Sequence, residues 1–313
     1  MELQEWGLLM GLAVIWGGTY FFVAVAVKFL PPLTLAFLRV ALAAGVLVFL
    51  APAVGLRLPG DRKTWSAFFG IGLLNNVIPF SLVFWGQTHI SGGLASILNA
   101  TTPVFAVIVA HFMTHDEKLT ANRLIGVLVG LAGVSVIIGP EALRGVGANV
   151  LAQLSVLGAA VCYAFAGIYG RRFRRLGVHP VVAAAGQLSA SVVMLLPVVL
   201  AVDHPWQLPI PSASVVWAVL GLATISTAFA YIIYFRVLAT AGATNILLVT
   251  FLIPVSAMFL GTVFLSEQLA GRHFMGMALI GAGLAAIDGR LLVRIRLKKA
   301  PSGNQKYRRL SEK

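Results

Sequence analysis

Apolar runs separated by short polar or Pro/Gly-bearing turns recur along the chain at 6–27, 33–50, 65–86, 93–113, 122–139, 150–169, 180–202, 214–235, 244–265 and 272–289. A bilayer core about 30 Å thick needs roughly 20 apolar residues per helix, so each run predicts a spanning helix. The turns leave no room for a soluble domain of any size. The pattern also repeats: Gly70, Phe84 and Pro103 recur as Gly221, Phe235 and Pro254 at an offset of 151, and Glu117, Gly126 and Gly133 recur as Glu267, Gly276 and Gly283 at 150. The front of each half aligns more weakly at 148, setting Pro32 against Pro180 and Arg39 against Gln187. Five spans per copy put the second copy upside down relative to the first. The predicted fold is therefore an all-α polytopic membrane protein, with ten transmembrane helices as two inverted five-helix repeats. The first repeat occupies 1–140, the second 150–289, and a basic tail 290–313.

Ala24-Val25-Ala26 at the end of the first run resembles a signal-peptide cleavage site. No Lys or Arg precedes it, and the run exceeds the 7–15 or so residues of an h-region, so it is expected to remain as a helix. Composition agrees with the pattern: 59% apolar residues, 11% charged and a mean hydropathy of +0.94 would give a soluble domain more apolar surface than it could cover. Cys162 is the only cysteine, so no intramolecular disulfide forms.

Charge orients the helices. With the amino terminus on one face, that face collects Arg57, Arg62, Lys63, Lys118, Arg123, Arg171, Arg172, Arg174, Arg175, Arg236 and the nine Lys and Arg of the tail. The other face has only Lys28, Arg144 and Arg272. Basic loops stay cytoplasmic, which predicts both termini inside a bacterial inner membrane. The net charge of +13 thus reflects topology, and no basic groove with interleaved aromatics marks a nucleic-acid partner. The tail would also be attracted to anionic lipid.

All ten acidic residues fall in loops, at helix ends or in the tails. A proton-driven pump generally needs an ionisable relay at depth, so downhill transport without an imposed pH difference is expected. The one deep charge is Arg39, about 9 Å into the second helix at 1.5 Å per residue. One reading gives it a substrate carboxylate or an outer gate; the other has it snorkel or bond freed backbone carbonyls. Around it, Trp16, Asn75, Asn99, Tyr163, Gln187 and Tyr231 are candidate substrate-binding residues, since uncharged polar groups orient a ligand while aromatics cover its apolar side. Ser81, Thr101, Thr102, Ser189, Ser226, Thr227 and Tyr234 share these depths, and such groups also serve as interhelical bonds.

Pro79 and Pro103 each stand four residues after a candidate asparagine, where the ring removes a helical hydrogen bond. Pro254 repeats this after Thr250, so Pro79, Pro103 and Pro254 are read as gating kinks. Gly7-x-x-x-Gly11 and Gly126-x-x-x-Gly130 permit close helix packing, within one chain or between two. His111 and His115 have a metal-pair spacing, but no third ligand is evident. No phosphate loop, nucleophile elbow or zinc-protease signature occurs, so no metal, cofactor or catalytic residue is expected.

The stretches Ala13 to Thr19, Leu38-Arg39, Asn99 to Phe105 and Glu117 to Gly133, with a second copy at Thr250 to Gly283, resemble the drug/metabolite transporter superfamily, specifically its EamA-type members. The resemblance implies secondary transport or facilitated export of small metabolites through a central cavity between the halves. Neutral or aromatic amino acids fit a cavity rich in Trp, Tyr and Asn, with purines or toxic cations as alternative solutes. The second copy departs from the first, with Tyr163 for Trp16 and Gln187 for Arg39. A non-transporting scaffold or a lipid-modifying enzyme is the competing class, and the scattered carboxylates disfavour an enzyme. The expected partners are a small-molecule substrate and the lipid bilayer, with the chain acting as a monomer.

Overall fold

The computed structural model describes residues 3–53, 55–114, 119–138, 147–241 and 249–288, and every long element among them is helical. The helices are α1 (Leu3–Ala26), α2 (Pro32–Ala53), α3 (Arg62–Gln87), α4 (Gly92–Met113), α5 (Ala121–Ile138), α6 (Ala148–Arg175), α7 (Pro180–Val202), α8, α9 (Val249–Leu265) and α10 (Gly271–Asp288). The helix α8 runs Ala213–Leu220, turns π-helical over Gly221–Phe229 and continues as Ala230–Ala241. The first eight are long and apolar enough to cross a membrane, whereas α9 and α10 are shorter apolar helices. Arg144, the segment His115, Asp116 and Glu117, and the basic tail lie outside the described residues.

Observed boundaries follow local chemistry. Asp61 caps α3: its Oδ1 accepts from the Thr64 backbone N–H at 2.8 Å, which also holds its carboxyl below the usual carboxylate range. Ser91 caps α4 through the Leu94 N–H. The helix α6 ends on Leu176 before Gly177, whose φ of 65° lies where glycine carries no Cβ penalty.

Packing is pairwise. The helix α1 lies along α9 and α8, α6 along α4 and α3, α2 along α7, and α5 along α10. The largest apolar cluster draws on all ten helices, with Leu35, Val40, Phe84, Leu98, Val156 and Leu188 among its buried residues. A second, of Leu9, Leu12, Ala230, Val237 and Val249, joins α1, α8 and α9 near the amino-terminal end. Contacts of the first turns of α2 and α4 with the segments that follow α7 and α9 define the opposite end of the bundle, its far end.

The α5/α10 seam is the tightest contact. A Cβ on Gly126 would meet the Gly283 carbonyl and the reverse, and Gly133 and Gly276 repeat the relation. Gly130 faces Val104 of α4, so this glycine motif serves packing within the chain. Gly7 and Gly11 have no neighbour among the described residues that a Cβ would touch. Gly283→Val should therefore cost about 1–3 kcal/mol by overpacking and lower the melting temperature in detergent. Gly11→Ala should leave the melting temperature unchanged or slightly raised, because alanine is the better helix former. Equal melting temperatures for the two variants would contradict the seam.

Candidate functional site

Arg39 lies on α2, one turn inside Leu35, among Phe80 and Phe84 of α3 and Thr227 in the π-helical part of α8. It is 7% exposed, so it does not snorkel. Its Nε donates to Thr227 Oγ1 at 3.0 Å, and its guanidinium carbon stands 3.9 Å from the centre of the Phe80 ring. Phe84, stacked on Phe80, lies 5.8 Å from the same carbon. A cation on an aromatic face is stabilised by about 0.5–2 kcal/mol depending on desolvation. The backbone-carbonyl reading also gives way, since the partner is a side chain. The side chains of Tyr163, Tyr231 and Tyr20 lie in the surroundings of the guanidinium. Among the described residues, its two terminal nitrogens have no protein acceptor. A guanidinium offers five donors, so most of its capacity faces outward from the protein's own network.

The π-turn explains why Thr227 is available. In an i→i+5 turn the hydroxyl of Thr227 reaches the Leu222 carbonyl, at 2.8 Å, leaving its lone pairs toward Arg39. The helix α3 has its own π-turn at Leu73–Val77, immediately before Pro79, and it carries both asparagines across to α7. Asn75 Nδ2 donates to Gln187 Oε1 at 3.1 Å, and Asn76 Nδ2 donates to Ser191 Oγ at 3.0 Å. The Tyr231 hydroxyl lies beside Asn75 and Gln187. Asn75, Gln187 and Tyr231 thus bring polar groups together from three helices, with Asn75 and Gln187 hydrogen-bonded.

On the other side, Tyr20 of α1 lies beside Asn99, which closes the first part of α4. Below Asn99 the helix breaks at Ala100 and Thr101 and restarts at Thr102 with Pro103 in its first turn. The Asn99 Oδ1 is buried without a partner among the described residues. Pro79 and Pro103 therefore do mark disturbed backbone, whereas Pro254 sits inside uninterrupted helix α9. There Ser256 Oγ reaches back to the Leu252 and Ile253 carbonyls and across to Ala13 O at 2.8 Å.

Trp16 is placed differently from the others. Its ring packs on Tyr234, centroids 5.7 Å apart, in the α1/α8/α9 cluster. Tyr20, Phe80 and Phe84 belong to the Arg39 surroundings although their residue types alone give no reason to select them. Depth on α1 and α3 is the available signal. His111 Nδ1 accepts from Leu119 N at 3.2 Å, and no group of three His, Cys, Asp or Glu comes together among the described residues.

A separate groove of about 340 Å³ lies between α1, α8 and α9, lined by Val14, Phe21, Phe22, Ile225 and Phe264. Its walls are almost wholly carbon and several are exposed on the bundle's flank, so it offers nothing to orient a polar solute. The chemistry that can hold one is concentrated at Arg39.

The pattern of the EamA-like transporter family matches two stretches of the chain, 5–139 and 150–287. The uncharacterized inner membrane transporter YedA of Escherichia coli (strain K12) is 30% identical over 282 residues, covering 89% of this chain and 88% of its own. The uncharacterized transporter YoaV of Bacillus subtilis (strain 168) is 26% identical over 281 residues, covering 88% and 94%. A probable amino-acid metabolite efflux pump of Escherichia coli (strain K12) is 26% identical over 297 residues, covering 91% and 94%. A protein of known crystal structure shares the fold with a TM-score of 0.62 at 24% identity, covering 91% of this chain and 98% of its own.

Proposed function

Because the chain belongs to the EamA-like transporter family, we propose that this membrane transporter exports small carboxylate-bearing metabolites, neutral or aromatic amino acids above all, through the space around Arg39 by alternating access. The observation that carries the reading is the buried guanidinium whose terminal nitrogens are left for an acceptor that the described residues do not supply. A buried cation without a counter-charge is costly at depth in a membrane, and a ligand carboxylate offsets that cost. The tyrosines, with Asn75, Asn99 and Gln187, offer hydrogen bonds to the remaining polar groups. The Escherichia coli relative named as a probable amino-acid metabolite efflux pump adds support for this substrate class.

In this reading the ten helices are two inverted repeats, 1–140 and 150–289, with both termini in the cytoplasm of a bacterial cell and the far end outside. Three features support it. The family pattern matches twice, once in each half. The π-turns of α3 and α8 fall at related places, Leu73–Val77 and Gly221–Phe229, close to the offset of 151. Helix neighbours also exchange between halves: α1 on α9 corresponds to α6 on α4, α1 on α8 to α6 on α3, while α2 with α7 and α5 with α10 map onto themselves. Such a relation lets one arrangement of helices face either side of the membrane.

Purified protein in liposomes loaded with unlabelled neutral or aromatic amino acids should show counterflow of the labelled compound with no pH difference imposed. Counterflow that appears only with an applied proton gradient would remove downhill movement. No counterflow with any carboxylate-bearing solute, gradient or not, would remove the substrate class.

A further inference from the structure

Two carboxylates of the second half reach across the far end and close onto helix starts of the first half. Asp203, directly after α7, accepts with Oδ2 from both the Thr34 backbone N–H, at 2.7 Å, and the Thr34 hydroxyl, at 2.6 Å. Glu267, after α9, accepts with Oε1 from Gly92 N at 2.9 Å and with Oε2 from Gly93 N at 3.0 Å. These N–H groups belong to the first turns of α2 and α4, where no carbonyl within the helix can accept them and where the helix dipole favours negative charge. The Glu267 side chain is also seated from its own side. Ser266 turns the chain with a φ of 54°, the Glu267 N–H donates to the Gly261 carbonyl at 3.1 Å, and a Cβ on Gly261 would collide with the carboxylate.

The elements beneath these contacts give them a mechanical role. The first part of α4, Gly92–Asn99, packs against α9 under the Glu267 contact. The second part, Thr102–Met113, packs mainly against α6 and α5. The break at Ala100 and Thr101 between them stands beside Asn99, and Arg39 lies one turn below the helix start that Asp203 holds. The same two junctions that shut the far end are therefore continuous with the two helices that border the substrate space.

We propose that Asp203 and Glu267 are positioning residues that hold the far end closed, and that access from that end requires both carboxylates to release their helix starts. The proposal rests on the alternating-access reading, but its test uses no substrate, so it fails or stands apart from the counterflow result. Ala36, fully buried and one turn from Arg39 toward the far end, serves as the reporter position. Ala67, equally buried near the amino-terminal end, serves as the control.

In a Cys162→Ala background in lipid nanodiscs, the modification rate of Ala36→Cys by a sulfonated methanethiosulfonate is compared with and without Glu267→Ala or Asp203→Ala. Each latch substitution should raise the rate at Ala36→Cys about tenfold, the factor set by roughly 1.4 kcal/mol of lost closure. The rate at Ala67→Cys should not change. Unchanged rates at Ala36→Cys would overturn the proposal. So would a parallel rise at Ala67→Cys, which would mean general loosening. Thr34→Ala, which removes only the hydroxyl donor, is the milder second variant if an acidic substitution fails to fold; it should raise the Ala36→Cys rate alone, and no rise would count against the proposal.

Discussion

Arg39→Gln should reduce transport of carboxylate-bearing substrates about 10–100-fold, because a charge-assisted hydrogen bond contributes roughly 1.5–3 kcal/mol and 1.4 kcal/mol is tenfold. The protein should remain folded in detergent. Removing a buried charge that lacks a counter-ion among the described residues relieves a desolvation cost, so the melting temperature is expected to hold or rise. Arg39→Lys is the informative companion. It keeps the charge but loses the flat guanidinium that lies on Phe80 and the Nε–H that Thr227 accepts, so it should recover only part of the activity. Initial rates in proteoliposomes at matched reconstitution provide the measurement. Wild-type rates in Arg39→Gln would make the arginine purely structural and move the carboxylate site elsewhere.

The second large effect falls on Phe80, whose ring is both core and floor of the site. It is 6% exposed, stacks on Phe84 with centroids 5.9 Å apart and lies directly beneath the Arg39 guanidinium. Phe80→Ala should destabilise the protein by about 3–5 kcal/mol, the usual range for emptying a large aromatic site. Phe80→Leu separates the two roles. It retains most of the apolar bulk but removes the aromatic face, costing the arginine about 0.5–2 kcal/mol of cation–π interaction. Transport should therefore fall more steeply than thermal stability in Phe80→Leu, and both should fall in Phe80→Ala. Thermal unfolding in detergent paired with counterflow distinguishes them; equal behaviour of the two variants would show that the ring acts only as packing.

Most of the helical architecture is legible because lipid imposes a simple demand on each segment. The run 180–202 coincides with Pro180–Val202, and 65–86 falls within Arg62–Gln87. The sixth apolar run ends at 169, whereas α6 continues to Arg175. Apolarity stops at Arg171, but arginine is a good helix former and the backbone stays helical until the turn before Gly177. Arg39, Asn75, Gln187 and Tyr231 stand out because polar groups are rare at depth, and among them Asn75 donates to Gln187. Phe80 and Tyr20 do not, since one aromatic in an apolar run looks like any other until a cation is found on its face. Thr227 is visible as a polar group, yet its pairing with a residue 188 positions away depends on how α2 and α8 cross. The π-turn of α8 has no proline to announce it, as Ala230 occupies the place that Pro79 holds in the first half.

That unannounced turn has a consequence for how the chain tolerates change in length. Each π turn takes up one residue more than an α turn, so every side chain after Phe229 is set at a phase that an unbroken α-helix would not give it. Were this stretch to relax to α with no residue removed, the rest of α8 would rotate by about 100° for each extra residue the π turns now take up. Tyr231 and Tyr234 would then swing away from Arg39 and Trp16 while hydropathy, span length and composition stayed almost the same. A one-residue deletion in this stretch is instead absorbed by loss of the π turn, which leaves the following side chains near the face they now hold. Between related chains, a difference of one residue across this segment therefore leaves the later side chains of α8 on the same wall.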